Sequence, residues 1–504
     1  MDTVLELDKV SKRFGTFYAN RDICLTLRRG EIHAILGENG AGKSTLMNIL
    51  FGLYRPDSGR ILLEGKEIRT ESPKQMLSLG VAMVHQHFML VPTLSVVDNV
   101  LLGMMRPFRL PRDKAVERIR TLCQQAGFEV DPYAKISDLN VGQQQRVEII
   151  KALYRDVKIL ILDEPTAILT PAETEELLQM LKRLAQRGIS ILFISHKFNE
   201  VMSVSDRISV IRRGEMIGCI PRSEAKPEEL ARMMVGREVD LYAGRASGTP
   251  GDVVLDVQDL SVPCSSEKQS IKQVSFQIRA GEILAITGVE GNGQAELVEA
   301  IMGMRRIRSG RVVLHGEQIE NLHPRQILNK GVGYIPGDRH RQGLILDSSI
   351  ADNLILECFR DPPYTRHHLM DHPKAEKLGQ EQIQAFDIRA ESAQQLAASL
   401  SGGNQQKIVI ARALHKRPTL LVAVFPTRGL DIGAIEFIHN RMTMQRDEGC
   451  AILLVSNELD EVLSLGDRIG VMYEGQMRQI RQKEAWDRQS LGLAMAGTNT
   501  EEAS

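Results

Sequence analysis

The sequence predicts an α/β protein built from two tandem domains, each formed around a mainly parallel sheet. Apolar, strand-like runs alternate along the chain with helical patterns, which is typical of parallel sheets joined by helices. The 504 residues are too many for one hydrophobic core. The second half of the chain also restates the first half. A repeat of this length indicates duplicated domains and not a solenoid of short units.

The first copy carries the clearest strand and helix patterns. A helix is predicted over 171–188, where Leu177, Leu178, Leu181 and Leu184 recur at helical spacing. A mostly helical insert is predicted at about 96–155. Four apolar runs are predicted to be strands: 32–36, 158–162, 190–195 and 208–212.

The repeat is visible at two segments. Residues 29–37 (RGEIHAILG) return as 280–288 (AGEILAITG), and residues 194–201 (ISHKFNEV) return as 455–462 (VSNELDEV). The copies are offset by 251 residues at Lys43 and Gln294 but by 261 at Leu139 and Leu400, so the second copy carries about ten extra residues.

The seam between the copies is predicted in a small, polar segment that contains Gly and Pro. This placement gives a first domain at 1–240, a linker at 241–252 and a second domain at 253–496.

A glycine-rich loop follows the predicted strand 32–36 and precedes a helical pattern, the context of a phosphate-binding P-loop. Its glycines are expected to adopt backbone angles closed to other residues, so that N–H groups turn toward phosphate oxygens. The lysine would add a charge at the β and γ phosphates, and the following serine a hydroxyl for Mg²⁺. The alternative is a chance glycine turn. The loop comprises Gly37, Glu38, Asn39, Gly40, Ala41, Gly42, Lys43, Ser44 and Thr45.

Two acids, Asp163 and Glu164, end the predicted strand 158–162. The first is placed to hold Mg²⁺ through water, and the second to orient and deprotonate an attacking water. An apolar strand that ends in two acids is common by itself. Together with an upstream P-loop, it indicates ATP hydrolysis.

Residues 139–146 (LNVGQQQR) and 400–407 (LSGGNQQK) resemble the signature loop of ABC ATPases. The resemblance covers nearly the whole chain and includes the order of the motifs: P-loop, glutamine loop, signature, Asp-Glu strand and histidine switch. It implies two tandem P-loop NTPase (ABC ATPase) domains, each with a RecA-like core and a mostly helical subdomain. It also implies ATP and Mg²⁺ as cofactors, with the signature of one domain capping the γ-phosphate bound on the P-loop of the other.

Further roles follow from positions that match the family's motifs. Gln86 resembles the residue of the glutamine loop that touches Mg²⁺ or the attacking water. His196 resembles the switch histidine on the γ-phosphate. Phe14 matches the aromatic residue that stacks on adenine, and its alternative role is ordinary packing.

The two copies are not equivalent. Gln294 and Ala295 replace the lysine and serine of the P-loop, Val424 and Phe425 replace the two acids, and Asn457 replaces the switch histidine. These replacements remove the charges that would hold Mg²⁺ and activate water.

For the signature motif, it is the first copy that departs from the family pattern. The second copy carries the complete form, Ser401, Gly402 and Gly403, whereas Asn140 replaces the serine in the first copy. Head-to-tail pairing therefore predicts one hydrolytic site per chain, formed by the first P-loop and the second signature.

The degenerate second domain, with Pro426–Asp431 (PTRGLD), resembles the ATPases of simple-sugar and nucleoside importers. Residues 84–92 (VHQHFMLVP) resemble the nucleoside, basic membrane lipoprotein-linked branch more closely than the ribose and galactose branch. This resemblance implies two membrane permease subunits, an extracytoplasmic solute-binding protein or lipoprotein, and a peripheral location on the cytoplasmic face of the cell membrane.

Composition agrees with these expectations. The net charge of −1 and an aromatic content of 4% argue against nucleic acid as a partner. No apolar run reaches the roughly 18 residues that would span a bilayer.

Two questions stay open at the level of sequence. The alternative function is a soluble, non-transport ABC ATPase that acts on ribosomes, although that group normally keeps both ATP sites and a long charged linker. Family members also read Pro-Glu-Asp-Arg where this chain has Pro336-Gly337-Asp338-Arg339. Gly337 is either a neutral loop change or a change that alters coupling to the permease.

Overall fold

The structure is a computed structural model that describes residues 2–85, 88–103, 112–166, 169, 171–195, 197–237, 250–264, 269–289, 291–366, 369–495 and 497. The chain divides into two compact units, unit 1 (Met1–Val239) and unit 2 (Asp240–Ser504). Most of the predicted linker, 241–249, lies outside the described residues.

Unit 1 holds ten strands and eight α-helices among its described residues. The strands are β1 (Thr3–Phe14), β2 (Phe17–Arg28), β3 (Ile32–Leu36), β4 (Ser58–Leu63), β5 (Lys66–Ile68), β6 (Val81–Val84), β7 (Ile159–Asp163), β8 (Ser190–Ile194), β9 (Arg207–Arg212) and β10 (Glu215–Pro221). The helices are α1 (Lys43–Leu50), α2 (Pro73–Ser78), α3 (Val96–Leu101), α4 (Arg112–Ala126), α5 (Val141–Leu153), α6 (Pro171–Gln186), α7 (Phe198–Val204) and α8 (Pro227–Val235).

Unit 2 repeats this order of elements. Its described strands are β11 (Val253–Val262), β12 (Ile271–Arg279), β13 (Ile283–Thr287), β14 (Ser309–Leu314), β15 (Glu317–Gln318), β16 (Val332–Ile335), β17 (Thr365–Arg366), β18 (Leu369–Met370), β19 (Leu420–Val424), β20 (Ala451–Val455), β21 (Arg468–Tyr473) and β22 (Gln476–Gln482). Its described helices are α9 (Gln294–Ile301), α10 (Pro324–Asn329), α11 (Ile350–Ile355), α12 (His372–Ala385), α13 (Gly402–His415), α14 (Ile432–Asp447), α15 (Leu459–Leu465) and α16 (Arg488–Met495).

Each unit contains one four-stranded antiparallel sheet and one six-stranded, mainly parallel sheet. In unit 1 the orders are β2-β1-β4-β5 and β10-β9-β3-β8-β7-β6, and in unit 2 they are β12-β11-β14-β15 and β16-β19-β20-β13-β21-β22. The central strands β3, β7 and β8 are buried along their whole length, as expected where both faces of a parallel sheet are covered. The predicted strands are thus confirmed to within one residue, and the predicted helix 171–188 ends two residues earlier than expected.

A helical subdomain interrupts each parallel sheet. In unit 1, α3, α4 and α5 lie between β6 and β7, and in unit 2, α11, α12 and α13 lie between β16 and β19, which confirms the predicted helical insert. In unit 2 the connection between α11 and α12 contains the hairpin of β17 and β18.

The helix after each glycine loop lies between the two sheets of its unit. In unit 1, Leu46, Met47, Ile49 and Leu50 of α1 belong to one core with residues from both sheets. This packing fixes the start of α1 at the carboxyl end of β3. Among the described residues, no helix is both long enough and apolar enough to cross a membrane.

Candidate nucleotide site

The glycine loop of unit 1 connects β3 to α1, and its glycines serve different purposes. Gly40 and Gly42 have φ angles of 80° and 102°, in the left-handed region that favours glycine. Gly37 does not have a positive φ, so the expectation that it adopts backbone angles closed to other residues is wrong. A side chain there is excluded because a Cβ atom would lie 2.4 Å from the carbonyl oxygen of Ile211 on β9.

Lys43 begins α1 but folds back over the loop. Its Nζ donates to the carbonyl oxygens of Gly37 at 2.7 Å and Glu38 at 2.8 Å, and the side chain is buried. The loop is closed internally by Ala41 N–H, which donates to the Glu38 carbonyl at 3.1 Å. Asn39 lies in this loop, and Thr45 lies in the first turn of α1. The ammonium group therefore lies within the curve of the loop, as binding of phosphates requires.

The strand that ends in two acids meets the glycine loop directly. Asp163, the last residue of β7, accepts a hydrogen bond from the side chain of Ser44. Burial and the neighbouring charge of Glu164 raise the pKa of Asp163, whereas Ser44 and Lys43 lower it. A hydroxyl and a buried carboxylate together are the hard oxygen donors that Mg²⁺ prefers, so these residues fit the ion.

This donor pair needs further ligands to complete a magnesium site. Among the described residues, no group of three or more His, Cys, Asp or Glu side chains could hold a metal ion. Phosphate oxygens would supply the missing ligands.

Glu164 is held in a strained backbone conformation. Its φ is 47°, in the left-handed region that non-glycine residues rarely adopt, and its N–H donates to the carbonyl oxygen of Ile194 at 3.0 Å. Phe425, the corresponding residue of unit 2, has a φ of 43° and the same bond to Val455 at 2.8 Å. The backbone of the strand end is therefore the same in both units although the side chain differs.

Phe14 lies at the end of β1 and is 46% exposed. Its ring packs edge-on against Tyr54 with the centroids 5.5 Å apart, and Lys12 Nζ lies 5.8 Å from its centroid. An exposed ring next to a cation can receive a base, and this position is not in the core.

The two signature loops precede helices α5 and α13. In unit 2, Ser401 is the residue before α13, and its hydroxyl accepts a hydrogen bond from the Asn404 side chain at 3.0 Å. In unit 1, Asn140 caps α5 through a reciprocal pair of bonds with Gln143. The N–H groups at the start of α13 thus lack the side-chain cap that closes the start of α5.

Gly402 and Gly403 are the first two residues of α13. A Cβ on Gly403 would lie 3.1 Å from that of Ala434 on α14, and one on Gly402 would lie 2.9 Å from Nη2 of Arg339. Both glycines therefore permit close packing against neighbouring elements. Two further predicted site residues, Gln86 and His196, lie outside the described residues.

Glu200, a buried residue of α7, has a role that the motifs did not predict. Its Oε2 accepts hydrogen bonds from Thr166 Oγ1 at 2.6 Å and Ser195 Oγ at 2.8 Å. It therefore joins the segments that follow β7 and β8, the first of which begins with Glu164. The repeat offered a signal, because Glu200 returns in unit 2 as Glu461, which accepts from Thr427 Oγ1 at 2.8 Å.

The second glycine loop keeps its shape without its charge. Gly291 and Gly293 have φ angles of 93° and 104°, and Gln294 Nε2 donates to the carbonyl of Val289 at 3.1 Å. The amide thus takes the internal position that Lys43 has in unit 1. In the same helix turn, the buried Glu296 corresponds to Thr45 and adds a carboxylate near the loop.

The strand end of unit 2 explains Gly337. A Cβ on Gly337 would lie 3.1 Å from Cδ2 of Phe425 and 3.1 Å from Cγ1 of Val424. The two apolar side chains that replace the acids therefore occupy the space that a side chain at 337 would need. A glycine is the residue that this packing accommodates without displacement.

The comparisons with known proteins agree with this geometry. Residues 20–167 and 271–427 match the protein family described as ABC transporter. The nucleoside import ATP-binding protein NupA of Lactococcus lactis is 46% identical over 99% of both chains. The guanosine import ATP-binding protein NupO of Bacillus subtilis is 44% identical over 100% of this chain and 99% of its own. The glucose import ATP-binding protein TsgD13 of Haloferax volcanii is 42% identical over 98% of this chain and 96% of its own.

The family match occurs once in each unit, and it includes both glycine loops and both strand ends. The relatives align over almost the whole chain. The protein therefore belongs to the ABC transporter family, in which it is an ATPase with two tandem ATP-binding domains.

Proposed function

We propose that this chain hydrolyses ATP to energise the import of a nucleoside or simple sugar through partner membrane permeases. The main observation that supports ATP hydrolysis is the hydrogen bond between Ser44 and Asp163, because it joins the P-loop to the Asp-Glu strand. The import part is supported by relatives that are named import ATP-binding proteins.

The residues of unit 1 divide the chemistry among them. The glycine-loop N–H groups and Lys43 bind the phosphates, and Phe14 stacks on adenine. Ser44, Asp163 and Gln86 would hold Mg²⁺, which when bound neutralises phosphate charge. Glu164 orients the attacking water and accepts its proton, and His196 contacts the γ-phosphate.

One competent site per chain follows from the distribution of motifs. Unit 1 has the complete P-loop and acids, and unit 2 has the complete signature Ser401–Gly403. Unit 2 carries Gln294 and Phe425 where phosphate binding and water activation need charge. We therefore assign hydrolysis to the first P-loop, capped by the second signature.

The solute class is a nucleoside in preference to a sugar. Two of the relatives described above are named for nucleosides and share 46% and 44% of their residues with this chain, whereas the glucose relative shares 42%. These names also favour import over the ribosome-acting alternative. Two permease subunits and an extracytoplasmic binding protein or lipoprotein complete the proposed complex, with this chain on the cytoplasmic face of the membrane.

The test is Glu164→Gln in the full chain, assembled with its permeases in vesicles. Removal of the proton acceptor should lower the ATPase kcat by about 100-fold or more, while ATP still binds. Glu458→Gln, an exposed residue of unit 2, is the matched control and should stay within about twofold of the wild type. Normal steady hydrolysis by Glu164→Gln would refute the assignment.

The solute is tested with the same vesicles. Uptake of labelled nucleosides and simple sugars, measured with the binding protein present, should be ATP-dependent and should prefer nucleosides. Uptake of sugars alone would overturn the preference but not the import function. Recovery of ribosomal RNA with the chain, without permeases, would favour the alternative.

A further inference from the structure

The loop that follows β16 contacts the start of the signature helix in unit 2. Asp338 Oδ1 accepts from the backbone N–H groups of His340 and Arg341, both at 3.0 Å, and so caps the π-helical turn of residues 339–343. His340 Nε2 lies 2.9 Å from Oε1 of Gln405 in the first turn of α13. The loop is therefore fastened to the helix that carries the complete signature.

Arg339 contacts two further segments of unit 2. Its Nη1 donates to the carbonyl oxygen of Arg428 at 3.2 Å, and a Cβ on Gly402 would lie only 2.9 Å from Nη2. The guanidinium thus packs on the face of Gly402 that has no side chain. It joins three segments: the loop after β16, the segment after β19, and the signature.

The charge of this arginine is poorly compensated. Arg339 forms no salt bridge among the described residues, and its buried Nε has no hydrogen-bond partner there. Burial lowers its pKa, whereas the nearby charge of Asp338 raises it. A cation at the positive end of a helix is unfavourable unless an anion also binds.

Unit 1 is built differently at this place. Counted from the end of the preceding strand, Phe88 occupies the position of Arg339, and Val141 occupies that of Gly402. There the loop is held further along the helix, where Glu148 Oε1 accepts from Met89 N–H at 2.6 Å. The arginine contact accompanies the complete signature and not the degenerate one.

From this asymmetry we propose that Arg339 is a positioning residue for ATP hydrolysis. It holds Ser401–Gly403 in place and links that loop to residues 336–343, which match the glutamine loop in unit 2. The degenerate domain would then act on the competent site through its signature. This inference rests on the proposed function.

The experiment compares Arg339→Ala with Arg341→Ala in the full chain assembled with its permeases. Arg341 is an exposed arginine two residues away and is the matched control. Arg339→Ala should lower kcat about tenfold or more, because a misplaced signature weakens transition-state contacts. Its Kd for ATP should change less than about twofold, because the first P-loop is intact. Arg339→Lys should recover part of kcat, because it keeps the charge but not the planar fork.

A double-mutant cycle with Ser401→Ala separates positioning from general stability. If Arg339 acts through the signature, the two substitutions should not act independently. The fold-decrease in kcat of the double variant should then be much smaller than the product of the fold-decreases of the two single variants. Equal kcat for Arg339→Ala and Arg341→Ala, or multiplicative losses in the cycle, would overturn the inference. If Arg339→Ala fails to fold, Arg339→Lys and Arg339→Gln serve in the same cycle. Unchanged kcat in Ser401→Ala would instead refute the proposed composite site.

Discussion

At the scale of single residues, the buried carboxylate Glu200 connects stability with catalysis. It accepts hydrogen bonds from Thr166 and Ser195, and Lys197 Nζ lies 3.6 Å from its Oε1. Glu200→Ala leaves both hydroxyls buried without their acceptor, which should lower the free energy of unfolding of unit 1 by about 2–3 kcal/mol. It should also reduce kcat about tenfold, because Glu164 lies next to the segment that Glu200 holds. Urea unfolding and steady-state ATPase assays measure the two effects.

The repeat supplies the matched variant for this prediction. Glu461 accepts from Thr427 at 2.8 Å and lies 3.1 Å from Nε2 of His439, in the unit with the degenerate strand end. Glu461→Ala should therefore lower the stability of unit 2 by a similar amount and leave kcat within about threefold. A loss of kcat in Glu461→Ala as large as in Glu200→Ala would show that the carboxylate acts only through stability.

At the scale of elements, strand β3 contains a histidine that should make unit 1 sensitive to acid. His33 is buried, its Nε2 lies 2.8 Å from Ser209 Oγ, and burial together with the charge of Arg207 lowers its pKa to about 4. Since the folded pKa lies below the unfolded value near 6.5, the unfolded state binds the proton more readily. Above pH 6.5 His33 is neutral in both states, and it does not reduce the free energy of unfolding of unit 1. This free energy should fall by about 1.4 kcal/mol per pH unit between pH 6.5 and 4.

The measurement is the free energy of unfolding at pH 7.5, 6 and 5 for the wild type and His33→Gln. Glutamine is neutral at every pH, so the difference between the two proteins isolates the histidine from other titrating groups. The advantage of the wild type should shrink as the pH falls. A constant difference would show that His33 has the same pKa in both states.

The elements were largely predictable because their signals are local. Central strands such as β3 read as short apolar runs, and the glycine loop could be placed from its spacing alone. What could not be predicted was the reason for particular residues. Gly37 is required by the approach of the Ile211 carbonyl, whereas Gly337 is favoured by its close packing against the ring of Phe425, and both contacts join residues far apart in the sequence. The roles of Glu200 and Arg339 likewise depend on partners that only the fold brings together.

At the scale of the whole molecule, the two units of the repeat differ in which motifs they carry in complete form. Each unit keeps the backbone of a nucleotide site, including the positive φ angles at Glu164 and Phe425. Unit 1 has retained the charged groups, while unit 2 has kept the complete signature Ser401–Gly403. Loss of charge in unit 2 therefore need not mean loss of function, because its remaining motif belongs to the competent site in our proposal.

This division predicts which segments ATP should protect from amide hydrogen exchange. In Glu164→Gln with Mg²⁺ and ATP at 100 times the Kd, binding should stabilise the binding-competent native form by about 2.7 kcal/mol, which corresponds to roughly 100-fold slower exchange. Protection should appear at 37–45 and at 401–406, and not at 288–296 or 140–146. Lys43→Ala in the same background should abolish it, because the phosphates lose their principal cation. Protection at 288–296 would instead mean that the second glycine loop binds nucleotide despite Gln294 and Glu296.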